Sequence, residues 1–294
     1  MKKIKSYLFI FLLAFGFVSC EKDIDVDFPP GELPYVIEGY IENGTIPLVS
    51  ISRGVSFLKS ISSDDFNNLF VNNASVSISI DGGAPQALTP ITFGGATIYT
   101  NPSISGEVGK KYDLRIEVDG KVFTASTIIL APKPLDSIVF EPAPGDRGTK
   151  DSLVELTAWY TDPPEKDQYS RMLTKKNSET FFDVSFNSVY NDFLINGKHI
   201  SFTVFGGKQT LQNNDTADFR EYGYFKRGDT VYVKWASIEK AQYDFWNTFE
   251  SQSGSFGNPF SPTVVIKSNI KGDAGSIGIW ASYGATLDTV IIPK

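Results

Sequence analysis

Tyr112-Asp113-Leu114-Arg115-Ile116-Glu117-Val118-Asp119-Gly120-Lys121-Val122-Phe123-Thr124-Ala125-Ser126-Thr127-Ile128-Ile129 decides the fold class. Tyr112, Leu114, Ile116 and Val118 alternate with polar residues, so an extended chain here has one apolar face. Asp119-Gly120 accepts the positive φ angles of a tight hairpin, and Val122 to Ile129 reads as the returning strand. The same period of two appears upstream in Ser75 to Ile80, closed by Asp81-Gly82-Gly83. Tyr35 to Ile41 and Leu48 to Arg53 form another expected pair, joined through Asn43-Gly44. Residues 34–131 therefore read as an N-terminal β-sandwich. Ala131-Pro132-Lys133-Pro134 then interrupts any ladder, because proline lacks the N–H donor and restricts the residue before it.

Beyond that boundary, Leu153 to Tyr160, Phe181 to Phe186, His199 to Phe205, Thr230 to Trp235, Thr263 to Ile266, Ile277 to Ala281 and Thr289 to Ile292 are strand-like. One segment has helical spacing: in Ile238 to Ser251 the apolar Ile238, Ala241, Phe245 and Phe249 recur near the helical period, with Ser237 where an N-cap belongs. The expectation is a mainly β protein of two tandem β-sandwich (Ig-like) domains, the second (135–294) larger and carrying one helix near 238–251. No short fixed repeat is visible, which argues against a solenoid or propeller.

The first nineteen residues have the zones of a secretory leader: Lys2, Lys3 and Lys5, then an apolar run from Tyr7 to Val18. That run is shorter than the roughly 20 residues a helix needs to cross a bilayer core. Phe17-Val18-Ser19-Cys20 resembles a bacterial lipobox, so residues 1–19 read as a signal peptide and Cys20 as the lipidated first residue of the mature chain. Cys20 is the only cysteine, and a lone cysteine forms no internal disulfide. Acyl chains stabilise membrane attachment by about 0.8 kcal/mol per buried methylene, so the N-terminal lipid is the expected membrane partner. Residues 20–33, acidic and stiffened by Pro29 and Pro30, read as a tether. Losing the three leader lysines lowers Lys+Arg from 27 to 24 against 34 Asp+Glu, which leaves a mature chain that repels nucleic acid.

Catalytic chemistry is hard to assemble from these residues. His199 is the single histidine, it lies in an alternating segment, and no Gly-x-Ser-x-Gly elbow accompanies it. A zinc site of several His or Cys ligands is excluded by count, and no metal or cofactor is expected. Asp162, Glu165 and Asp167 flank Pro163-Pro164, and Asp215 and Asp218 follow Asn213-Asn214. Neither group has EF-hand spacing, and both read first as solvated turns. Trp159, Trp235, Trp246 and Trp280 invite a sugar-stacking platform, but core packing accounts for at least three of them. Tyr222, Tyr224 and Phe225, set among Arg220, Glu221, Lys226 and Arg227, are the preferred ligand-binding patch.

Several fragments in order resemble the Bacteroidota lipoprotein family known as domain of unknown function 4249. They are Cys20-Glu21-Lys22-Asp23, Tyr35-Val36-Ile37-Glu38-Gly39-Tyr40-Ile41, Asn73-Ala74-Ser75-Val76, Gly109-Lys110-Lys111-Tyr112 with Phe123-Thr124-Ala125-Ser126, and the run from Asn258-Pro259-Phe260 to Ser268-Asn269-Ile270-Lys271-Gly272. The chain departs from the pattern at Gly272-Asp273-Ala274-Gly275 and at Trp280. The resemblance implies an outer-membrane lipoprotein commonly encoded beside a TonB-dependent transporter, with no established catalytic residues. It also makes Lys22 and Asp23 candidates for a surface-export signal, the alternative being plain tether residues. Ser137, Ser152, Thr216, Thr230 and Thr289, each after an aspartate and before an aliphatic residue, resemble phylum-typical O-glycosylation acceptors. The alternative is that Asp-Ser/Thr marks the end of a turn where a strand begins.

The leading expectation is a non-enzymatic accessory or binding component of a TonB-dependent uptake system, lipid-anchored in the bacterial outer membrane and displayed at the cell surface if Lys22-Asp23 acts as an export signal. The alternatives are a surface adhesin or interaction module, and a carboxylate-based hydrolase. Intact-mass spectrometry of protein from its native host should find the chain beginning at Cys20 with fatty acyl groups attached. A chain cleaved there without them would remove the anchor, and a mass with no hexose increments would remove the glycosylation sites.

Overall fold

The computed structural model describes residues 33–55, 68–149, 152–180, 182, 187–206, 223–254, 264–272 and 276–294. Within them the fold is mainly β. In the first half, β1 (Tyr35–Glu42), β2 (Leu48–Arg53), β3 (Ser75–Ile80), β4 (Gln86–Phe93), β5 (Ala96–Thr100), β6 (Lys111–Val118) and β7 (Lys121–Ile128) run in chain order. The β6–β7 hairpin turns at Asp119 and Gly120 with φ of 49° and 76°, as the sequence requires. β4 changes partners along its length: residues 86–88 pair with β3 and 89–93 with β5, so one bent strand links two sheet layers. Between the layers lies the first core, with Ile37, Ile41, Val49, Ile51 and Tyr99 on one side and Ile78, Tyr112, Leu114, Ile116 and Phe123 on the other.

The second half adds β8 (Ser137–Pro142), a short helix α1 (Asp146–Thr149), β9 (Leu153–Thr161), β10 (Tyr169–Lys176), β11 (Val189–Asn191), β12 (His199–Val204), β13 (Phe225–Lys226), β14 (Thr230–Ile238), α2 (Lys240–Gly254), β15 (Lys271–Gly272) and β16 (Ser276–Ile291). β9 pairs with β8, β12 and β13 in a four-stranded sheet. That sheet encloses a second core with β10, β14 and the end of β16, built from Leu156, Ala158, Tyr160, Met172, Val233 and Trp235.

β16 joins the halves. Its first part, Ser276 to Tyr283, pairs in parallel with β1, and its second, Gly284 to Ile291, pairs antiparallel with β14. Twelve strands thereby form one continuous sheet in the order β11-β10-β14-β16-β1-β2-β5-β4-β3-β6-β7-β15. Lys271–Gly272 and Ser276–Tyr283 thus return to the N-terminal layers, and Leu33–Lys294 is a single compact unit with two cores. Ile277 to Ala281 and Thr289 to Ile292, which read as separate strands, belong to this one strand apart from Ile292. Val264–Ile266, expected as a strand, has no regular structure, and Phe181 to Phe186 lies largely outside the described residues.

α2 begins later than its periodicity implies. Ser237 and Ile238 remain in β14, paired with Ser170 and Tyr169, so Ser237 is buried and does not cap the helix. The Glu239 carbonyl instead accepts the first helical N–H groups, from Gln242 and Tyr243. The buried stripe is Gln242, Phe245 and Thr248, while Ala241 and Phe249 are exposed. A polar residue leads this stripe because the helix docks on backbone. In the orientation that satisfies both ends of its amide, Gln242 donates to the Ser282 carbonyl (2.8 Å) and accepts from the Ser282 N–H (3.0 Å). Glu239 accepts from the Ile128 N–H (3.0 Å) and the Thr127 hydroxyl (2.7 Å), tying β7 into the same junction.

Gly284 marks the point where β16 passes from one half to the other. A Cβ placed there would lie 1.9 Å from the Leu130 carbonyl oxygen, and backbone cannot step aside as a flexible side chain does. Gly284→Ala should therefore cost about 1–3 kcal/mol, the usual range for overpacking. Thermal denaturation should report the loss as a lower Tm, and an unchanged Tm would mean that the junction is loosely packed.

Candidate functional site

Side chains alternate across β10, β14, β16 and β1, so one continuous sheet face carries Tyr169, Arg171 and Leu173, then Lys234, Ala236 and Ile238, then Ile279, Ala281 and Tyr283, then Glu38, Tyr40 and Glu42. α2 covers part of this face, burying a third cluster in which Phe245 packs with Ala236, Ile238, Ile279 and Tyr283. The uncovered remainder is a groove of about 560 Å³, within the size range of small-molecule sites. Tyr40, Phe182, Trp246 and Tyr283 supply its aromatic surface, and Arg171, Lys234, Glu38 and Glu42 its charge.

The charges are arranged unequally. Lys234 Nζ lies 2.5 Å from Glu42 Oε2, both side chains being mostly shielded, and 4.4 Å from the Phe182 ring centroid. Arg171 is buried at 4% exposure and has no carboxylate in direct contact among the described residues. Its Nη1 donates to the Tyr283 hydroxyl (2.6 Å), its Nε donates to Ser188 Oγ (3.2 Å), and its guanidinium lies 3.5 Å above the Trp246 ring. Ser188 passes the interaction on, since its hydroxyl and its N–H both bind Glu250 on α2. Burial raises the pKa of Tyr283, while the neighbouring Arg171 charge acts the other way, so the phenol stays protonated and can donate. The Trp246 indole N–H is buried and turned toward the Tyr283 hydroxyl.

The residues singled out from sequence fall elsewhere. Phe225 is fully buried in the second core, which corrects its assignment to an exposed patch: in β13 it is Phe225 that turns inward and Lys226 that faces out. Tyr224 is half-buried beneath Arg147 (5.5 Å) and lines a cavity of about 250 Å³ with Lys176, Asn177, Lys226 and Asp229. Cys20, Lys22, Asp23, Thr216 and Tyr222 lie outside the described residues. Ser137, Ser152 and Thr289 are exposed, while Thr230 is half-buried. Thr230 opens β14 after a turn in which Asp229 accepts from the Lys226 N–H (2.8 Å) and from Asn177 Nδ2 (2.9 Å), the turn geometry its sequence allows.

Trp235 and Trp280 are core residues, the latter donating its N–H to the Tyr112 carbonyl (3.0 Å), and Trp246 lines the groove. Trp159 is the exposed one, at 37%, and stacks on His199 at 5.2 Å between ring centroids. The Thr161 hydroxyl donates to Asp136 (2.8 Å) and sits 2.8 Å from His199 Nδ1. The nearest hydroxyl is thus already committed to a carboxylate.

Among the acidic loops, the spatial partner of Asp162 is not Glu165 or Asp167 but Asp192, a residue with no sequence signal to mark it. Both aspartates are buried and line a cavity of only about 20 Å³. Asp162 accepts from the Gly197 N–H (3.2 Å), and Asp192 from the Gln168 N–H (3.1 Å). Among the described residues no group of three or more His, Cys, Asp or Glu is placed to hold a metal ion.

The family model described as Domain of unknown function (DUF4249) matches residues 21–286. No curated protein matches the chain.

Burial, with the Asp192 charge adding to it, raises the pKa of Asp162. The native state then holds this proton more tightly than the unfolded chain does. Its contribution to stability is full below the ordinary aspartate value and is lost as pH rises through the raised native one. Asp162→Asn, which cannot ionise, should raise Tm near neutral pH and leave it little changed in acid. Equal effects at both pH values would show that the carboxylate bears no burial penalty.

Proposed function

The chain belongs to the DUF4249 family, and on that premise we propose that it is a non-enzymatic, lipid-anchored outer-membrane protein that binds a ligand for a TonB-dependent uptake system. The observation that carries this reading is the groove. At about 560 Å³ it has room for a small molecule, and aromatic and charged side chains line it rather than a nucleophile with its base. A binding component needs what this groove offers: stacking surface, a fixed cation and a rigid floor of paired strands. The leader, Cys20 and the acidic tether supply attachment, and the family resemblance supplies the transporter as partner. The hydrolase alternative draws less support: the buried Asp162 and Asp192 share a cavity too small for a substrate, and of the two groove carboxylates Glu42 is held by Lys234.

A second reading, an adhesin or interaction module, draws on one observation. Trp159 and His199 form an exposed stacked pair on the outer face of the four-stranded sheet, bordered by Asp136 and Thr161. Such a flat aromatic surface would meet a glycan or protein partner, not a substrate in transit.

Purification of the tagged protein from native membranes in mild detergent separates the two. An outer-membrane barrel should co-elute in stoichiometric amount, and Cys20→Ser should release the protein into the soluble fraction. Recovery of the lipidated protein free of any barrel, with wild-type nutrient uptake in a strain lacking it, would overturn the transporter role.

A further inference from the structure

From the donors gathered at its floor, we infer that the groove selects a monoanionic carboxylate bearing an apolar or aromatic arm. The inference rests on the groove being a ligand site and goes further by naming the chemistry of the ligand.

A buried cation is costly unless something compensates it. Arg171 has three neutral contacts, Ser188, Tyr283 and the face of Trp246, and its Nη2 has no hydrogen-bond partner among the described residues. The nearest carboxylate along its hydrogen bonds is Glu250, one serine hydroxyl away. Beside it, the Trp246 N–H is buried against the Tyr283 hydroxyl and does not open onto the groove, which Trp246 lines with its ring. The Tyr283 oxygen already accepts from Arg171, so its own proton is available to a further acceptor. Two donors of different geometry, Arg171 Nη2 and the Tyr283 hydroxyl, therefore meet at one end of the groove without an acceptor. A planar carboxylate satisfies such a set, because it accepts through two oxygens and matches one edge of a guanidinium.

The rest of the lining restricts the ligand further. Lys234 is already paired with Glu42, and Glu38, close enough to act on Tyr283, adds negative charge to the lining. A second anionic group, or the double charge of a phosphate monoester, would meet repulsion there. Tyr40 and Phe182 instead offer ring surface for an uncharged arm.

The test titrates the full mature protein in detergent by calorimetry with 4-phenylbutyrate, its neutral amide 4-phenylbutyramide and the cationic 4-phenylbutylamine. The carboxylate should bind at least about tenfold more tightly than the amide, the loss typical of one charge-assisted contact. Tyr283→Phe keeps the ring and deletes the hydroxyl, and it should weaken carboxylate binding several-fold and amide binding less, because a hydrogen bond to a charged acceptor is the stronger. Arg171→Lys should weaken it further, and Trp159→Ala, remote from the groove, should have no effect. Because Arg171 is buried, the Tyr283→Phe result decides the matter if Arg171→Lys fails to fold.

Equal binding of acid and amide, or preference for the amine, overturns the inference while leaving the groove as a ligand site. Absence of binding by all three, with barrel association intact, overturns it without touching the transporter role. Carboxylate binding without barrel association supports the inference and removes the transporter role.

Discussion

The structure depends on the pairing of β16 with two partners that have no other strand in common. At about 3.3 Å per residue its sixteen residues span roughly 50 Å, long enough to close one core and complete the next. The parallel ladder with β1 brings the two ends of the folded unit together, and parallel neighbours always require a long crossover. Here nearly the whole chain forms that crossover. Non-local pairing of this kind makes the two cores cooperative, since the N-terminal layers lack Trp280 and Ile270 until the C-terminus arrives.

The buried polar junction follows from the same constraint. Where β16 crosses between halves, the Ser282 backbone is shielded by α2 and β7, and a buried backbone group must find a partner. Gln242 supplies one with the two-way geometry of a strand neighbour, and Glu239 does the same for the exposed edge of β7 at Ile128. Two polar side chains at the head of α2 thus set where the helix lies. Its position in turn sets how much of the sheet face stays open, and the open part is the groove. Arg171, Trp246 and Tyr283 meet there from β10, α2 and β16, three elements with no contact in sequence.

The amino-acid sequence by itself determined the class of the fold, because side-chain alternation is a local property of extended chain. Ser75–Ile80, Leu48–Arg53 and the hairpin at Asp119-Gly120 could be read directly. β4 and β5 could not, since β4 is nearly all exposed and contains Pro90. β10, paired on both sides, was hidden by Arg171, Lys175 and Lys176, of which Arg171 belongs to the groove and Lys176 to the cavity beside Tyr224. α2 was recognised as a helix, but its first residue and buried stripe were misread because Gln242 is held by hydrogen bonds and not by hydrophobicity.

Only the tertiary structure decided the site. Of the aromatic patch read at residues 222–225, Phe225 went to the core, because alternation states which residues share a face but not which face is buried. Trp159 and Trp246 looked no different in sequence from Trp235 and Trp280. Their separation into exposed, groove-lining and core residues depends on which layer lies across from each. The partnership of Asp162 with Asp192, and that of Arg171 with Tyr283, likewise joins residues far apart in the chain. Local period carries no information about such meetings; they arise when strands from distant segments take up register beside one another.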